Sequence, residues 1–350
     1  MRLGYFLKSL IFAYYWNAIM WLEDPITKLE RAAHAAWPGV LEEAQLPMVG
    51  WSYVLLSKRE ETDRARISYL VEHPKHGLFK CRLQLRPRAQ AAFAAHYLRL
   101  EKASRAFQRS ERLSLIKPMC LDIANQASLT TYAEGLPFSE YMRDAAEDNA
   151  RQLELLQLAG EWLDAYHRTK VSETRIFQPK HAVNYYHDLG EKIQSGDLKV
   201  AAKPLILQGV ERLSELANKY SDQQTVSAVQ YGDFHMHNLI FDGTCLTGIN
   251  ISKNQPAPVG HDIARLLLNY TAILRSSKEL ESGQIIPADA IEAFFAGYRL
   301  VGPNDPSVQF LPYAKILGSL VNVPQRRNDR SKTNQKTLER LRPIARVAFT

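Results

Sequence analysis

The chain has 350 residues, 46% of them hydrophobic and 23% charged, with a formal net charge of +7. That length holds one large domain or two packed lobes, and the composition excludes collagen-like, low-complexity and solenoid-repeat classes. The basic balance favours anionic partners such as nucleotides, phosphorylated metabolites or a membrane surface. The basic tail "QRRNDRSKTNQKTLERLRPIARVAFT" lacks the aromatic interleaving of a nucleic-acid reader and reads as a solvated helix, so no nucleic acid is expected. Cys81, Cys120 and Cys245 form no CxxC pair, which argues against a zinc knuckle or disulfide framework and for a reducing cytoplasm.

In chain order, residues 1–22 are aromatic and apolar, but Lys8 and Asn17 interrupt them below the ~20 residues a bilayer span needs. They read as a helix packed on the domain. Weak membrane-surface contact through residues 4–22 is the second reading. Residues 22–47 read as helix, begun by "DP" and stopped by "PGV". From about 48 to 85, three β-rich runs separated by "KREETDR" and "PKHG" describe an antiparallel meander. A strong helix follows in "RPRAQAAFAAHYLRLEKASRAF", and "SLTTYAEG" reads as a further strand ending at Gly135. Helices are predicted at 147–169, 205–220, 261–275, 287–299 and 333–347, interrupted by the hairpin "HNLIFDGTCLTGINI". The whole is α+β: a small antiparallel β-sheet N-lobe over 23–133 and a mostly helical C-lobe over 134–350, with a cleft between them.

The chemistry concentrates in "VQYGDFHMHNLIF", residues 229–241, with the key loop at 231–238. Asp233 precedes Asn238 by five positions in a loop entering an apolar strand. In phosphoryl transfer an acid orients and deprotonates the attacking hydroxyl, while an amide oxygen one turn later holds Mg²⁺ against the phosphates. Kinase catalytic loops use this D-x-x-x-x-N spacing. A competing reading takes His235, His237, His261 and Asp262 as a zinc or manganese site of a hydrolase. It needs an extended strand where the first reading wants a loop.

With "GINI" and "HDIARLL" following, "YGDFHMHNLI" resembles the signature of the aminoglycoside phosphotransferase and choline-kinase-like family, which has the two-lobed protein-kinase-like fold. "LAGEWLDAYH", residues 158–167, is similar to the helix preceding that family's loop. The resemblance covers about 45 to 320 and is strongest from 228 to 268. It implies ATP and Mg²⁺ as cofactors and a small-molecule hydroxyl as acceptor. Asp233 would be the catalytic base, His235 a loop brace, Asn238 a metal ligand and Asp262 the residue that locks the loop. Lys80 would meet the α- and β-phosphates, with Glu101 as its helix acid unless His96 occupies that position. Adenine would hang from Thr131, Tyr132 and Ala133.

The sequence also departs from the pattern. The second metal-binding acid is Asn250, a weaker ligand for a hard cation. The loop "SKREETDR" has no glycine to let backbone approach phosphates. Tyr231 replaces the first histidine of the signature, and His237 a small residue. A pseudokinase that binds nucleotide or a partner is therefore the alternative to a kinase of reduced activity. His167 and His181 read as packing and surface residues, and the acceptor is not legible.

Overall fold

The computed structural model describes residues 27–251 and 255–350. The expected N-terminal helix over residues 1–22 lies outside them. The chain divides into two compact units, one comprising residues up to Glu101 with Ile116–Ala133, the other Lys102–Leu115 with Glu134–Thr350.

The first unit opens with α1 (Lys28–Glu43), whose start is a capping box between Thr27 and Glu30 rather than the "DP" pair. The helix also runs through Pro38, against the expected stop at "PGV". An interior proline costs about 3 kcal/mol. Past it, Val40 and Leu41 are 0% and 1% exposed, and each such side chain returns roughly 1.5–3 kcal/mol on burial.

The meander is present as β1 (Ser52–Glu60), β2 (Ala65–His73) and β3 (Gly77–Arg86). With β5 (Pro118–Asp122) and β6 (Ala127–Thr131) it forms an antiparallel sheet of order β1-β2-β3-β6-β5. Strand β1 runs further than expected, taking Lys58, Arg59 and Glu60 into register with β2 and leaving only residues 61–64 to turn. Cross-strand pairing thus consumes half of "SKREETDR". The sheet face packs on α1 through Ile67, Val71 and Leu129 against Leu29, Val40 and Leu41. Helix α2 (Gln90–Ser104) follows β3.

The second unit is mostly helical: α3 (Phe138–Asp144), α4 (Asn149–Arg168), α5 (Lys180–Ser195), α6 (Lys203–Tyr220), α7 (Gly260–Leu274), α8 (Ala288–Gly297), α9 (Pro306–Val321) and α10 (Lys332–Ala348). Two small sheets accompany them. One orders β4 (Leu113–Leu115), β11 (Leu246–Gly248), β10 (Leu239–Phe241) and β7 (Leu136–Pro137); the other orders β12 (Pro256–Pro258), β9 (Gln224–Val229) and β8 (Val171–Ile176). The strand expected to end at Gly135 ends at Thr131. Helices α3, α5 and α9 and most of the short strands were not foreseen. Among the described residues no helix is long and apolar enough to cross a membrane, and Cys81, Cys120 and Cys245 are free thiols.

Candidate active site

The loop from Tyr231 to Asn238 leaves β9 and enters β10. Gly232 turns it at φ +93°, a backbone region that suits glycine. Residues Met236–Asn238 form a single 3-10 turn. The segment is therefore a loop and not the alternating strand that the zinc reading needs. Beneath it lies an aromatic stack. Trp162 is parallel to Phe234 and to Tyr166, both with centroids 5.6 Å away. The buried Tyr231 hydroxyl donates to the Ile249 and Asn238 carbonyls, tying the loop to the return strand. The Trp162 indole N–H donates to the Ser114 carbonyl at 2.7 Å. Its ring leaves no room beside Gly248, where an added Cβ would sit 2.1 Å from Cζ2.

Asp262 does not cap α7, whose N-cap residue is Val259. Its buried carboxylate turns back and accepts the backbone N–H groups of Tyr231 at 2.7 Å and Gly232 at 3.0 Å. His167, at the end of α4, reaches the same carboxylate at 3.2 Å through Nε2, and its Nδ1 meets the Tyr298 hydroxyl at 2.9 Å. His167 is thus part of the loop clamp rather than a packing residue. Burial alone would raise the Asp262 carboxyl. The hydrogen bond and charge of His167, with the two backbone donors, outweigh it and hold the group below its usual range.

The clamped loop brings Asp233, His235, Asn238 and Asn250 together. Asn238 Nδ2 donates to the Asp233 carbonyl at 2.8 Å and to Oδ2 of its carboxylate at 3.2 Å. His235 Nδ1 accepts the His237 N–H at 3.2 Å. The neutral ring therefore carries its proton on Nε2, which lies 3.3 Å from Asp233 Oδ2. Burial, outweighing the Asp233 charge, pushes the His235 imidazole down and keeps it neutral. The remaining oxygen, Asp233 Oδ1, accepts from the Arg265 guanidinium on α7. Arg265 was missed in the sequence. Its one signal is that it is the exposed residue of an otherwise buried stretch, Asp262–Leu268.

A divalent cation at this site would have the two carboxamides of Asn238 and Asn250 as donors. Asn250, in a left-handed conformation at φ +61°, donates from Nδ2 to Asn238 Oδ1 at 3.2 Å. The two amides therefore converge, and turning over the Asn250 amide presents two oxygens at one point. That set fits a single Mg²⁺, held more weakly than by carboxylates. Among the described residues no group of three or more His, Cys, Asp or Glu could hold a metal ion.

In the first unit, Lys80 lies on β3 and no carboxylate among the described residues pairs with it. Burial, then Arg82 and Arg66, push its ammonium down. The expected Lys80–Glu101 pair is not formed. His96, the other candidate on α2, is pushed down to about 4 by burial and by Arg82 and Arg99, so it stands neutral there. The Nε atom of Arg82 is buried without a hydrogen-bond partner. Lys80 beside Arg82 makes a positive spot suited to an anion. The Thr131 and Tyr132 N–H groups are engaged by the Lys117 and Leu78 carbonyls at 2.8 and 3.2 Å. Of the three adenine candidates, Ala133 alone has an N–H that no described backbone carbonyl takes up.

Within the second unit a cavity of about 1010 Å³ opens beside the loop, with His235 and Arg265 in its wall. Faces of α5, α7, α9 and α10 supply the remainder.

Fold and loop together define the scaffold as protein-kinase-like. The chain matches no protein-family model and no curated protein sequence. Solved structures do match it. An amicoumacin kinase, in complex with AMP-PNP, Ca²⁺ and Ami, is 14% identical, with 93% of this chain and 98% of that chain covered and a TM-score of 0.51. A choline kinase from Cryptosporidium parvum is 10% identical over 91% and 94%, with a TM-score of 0.53. A glucosamine kinase in complex with glucosamine, ADP and inorganic phosphate is 12% identical over 92% and 83%, with a TM-score of 0.53. The chain therefore has the fold shared by these small-molecule kinases, the fold implied by its likeness to aminoglycoside phosphotransferases and choline kinases.

Proposed function

We propose that this protein transfers the γ-phosphoryl group of ATP to a hydroxyl of a small molecule. The observation that carries the reading is the approach of Asn238 Nδ2 to Asp233 Oδ2 at 3.2 Å, on one loop locked by Asp262, in a fold shared with small-molecule kinases. The acceptor oxygen attacks the γ-phosphorus, the bond to the β–γ bridging oxygen breaks, ADP departs, and the acceptor proton passes to Asp233. His235 fixes the carboxylate through Nε2–H. The carboxamide oxygens of Asn238 and Asn250 would hold Mg²⁺, which when bound offsets charge on the phosphates. Lys80, with Arg82 nearby, takes phosphate oxygens, and the backbone near Ala133 takes adenine.

A second reading, nucleotide binding without turnover, is favoured by two observations. Arg265 occupies Asp233 Oδ1, and an amide stands at position 250. A thermal-shift titration with ATP, with and without Mg²⁺, separates the two. Stabilisation that requires Mg²⁺ and disappears in Asp233→Ala and Asn238→Ala supports the kinase. ATP stabilisation indifferent to Mg²⁺ and to both variants favours the second reading, and no effect of ATP removes both.

A further inference from the structure

The cavity beside the loop has an unusual charge. Arg265, Lys315, Lys336 and Arg340 line it, and among its described lining residues there is no Asp or Glu. The chain has 37 acidic side chains against 44 Lys and Arg, so the exclusion of carboxylates is local. Lys336 and Arg340 lie one helical turn apart on α10 and therefore share a face. Neither is ion-paired among the described residues. Like charges gathered this way repel one another, and apolar walls such as Leu268, Ile273 and Leu311 strengthen the field inside. A quaternary amine or an amino sugar entering here would be repelled by Lys336 and Arg340.

We propose that the acceptor is itself an anion, held through a phosphate or carboxylate group by Lys336 and Arg340, with Arg265 linking the cavity to Asp233. This rests on the phosphotransfer reading for the word acceptor; the anion site itself does not. A hydroxyl compound with such a group satisfies the free cations at one end and presents its hydroxyl to the loop at the other. The anion can also draw Arg265 away from Asp233 Oδ1, so that arrival of the acceptor frees the base.

Calorimetric binding of glucose 6-phosphate, gluconate, inorganic phosphate, glucose and glucosamine to the full chain, without nucleotide, tests the site. At least one anion should bind about tenfold or more tighter than glucose, more weakly at high salt, and the tighter of the two sugar anions identifies the group. Lys336→Glu with Arg340→Glu should abolish that preference while thermal stability is kept. The milder Lys336→Gln with Arg340→Gln serves if charge reversal unfolds the protein. Glucosamine binding as tightly as the anions, no anion binding, or anion binding unmoved by the variants overturns the inference. Anion binding lost in the variants of a protein that transfers no phosphate supports the site and overturns only the phosphotransfer reading.

Discussion

Arg265 donates to one oxygen of Asp233 while Asn238 and His235 approach the other. The side chains of Arg265 and Asp233 are 46% and 37% exposed, and ion pairs this open to water contribute only about 0–1 kcal/mol. Arg265→Ala should therefore leave unfolding stability within about 1 kcal/mol of wild type. Its effect should fall on the acceptor, with KM raised more than kcat is lowered. Urea denaturation and steady-state kinetics measure the two, and a large stability loss would make Arg265 a structural residue.

His167 and Asp262 are the opposite case, with side chains 1% and 2% exposed. Removing one partner of a buried pair costs roughly 3–5 kcal/mol. Asp262→Ala should lose about that much and expose the backbone amides of residues 231 and 232 to hydrogen exchange. Single and double variants at 167 and 262 should show strong coupling in a double-mutant cycle. Additive losses would mean that the histidine acts alone.

The pH dependence follows from His96, whose folded value of about 4 lies below the ordinary 6.5. For a lowered group the stability is fully present above the unfolded value and is lost as pH falls through the folded one. Stability in urea should therefore decline from about pH 6.5 toward about pH 4, and His96→Gln should flatten that decline. Asp262, lowered from 3.8, adds a further loss at more acid pH. An unchanged slope in His96→Gln would show that other groups dominate.

Gly248→Ala places a methyl carbon against the Trp162 ring, and overpacking of this kind costs typically 1–3 kcal/mol. Because Trp162 stacks on Phe234 within the loop, lost activity should accompany lost stability. Full activity in a destabilised variant would separate the aromatic stack from the loop it underlies.

The long periodic helices and the three-strand meander were legible because each carries its own pattern of apolar residues or β-branched runs. The two- and three-residue strands β4, β7 and β12 were not, since their pairing is made by distant partners. The site divides in the same way. Asp233 and Asn238 are five positions apart and lie on one loop, so spacing revealed their approach. His167 meets Asp262 across 95 positions and Arg265 meets Asp233 across 32, and no local pattern encodes such meetings. Pro38 misled because a local breaker was overruled by the burial of Val40 and Leu41 after it.

The most direct measurement is phosphoryl transfer followed by ADP release as Mg²⁺ is titrated, in wild type, Asp233→Ala and Asn250→Asp. Wild type should require Mg²⁺, Asp233→Ala should lose turnover by about 10²-fold or more, and Asn250→Asp should reach half-maximal rate at a lower Mg²⁺ concentration. Turnover retained in Asp233→Ala would contradict a base at 233, and a Mg²⁺ requirement unmoved by the added carboxylate at 250 would contradict a cation site at 238 and 250.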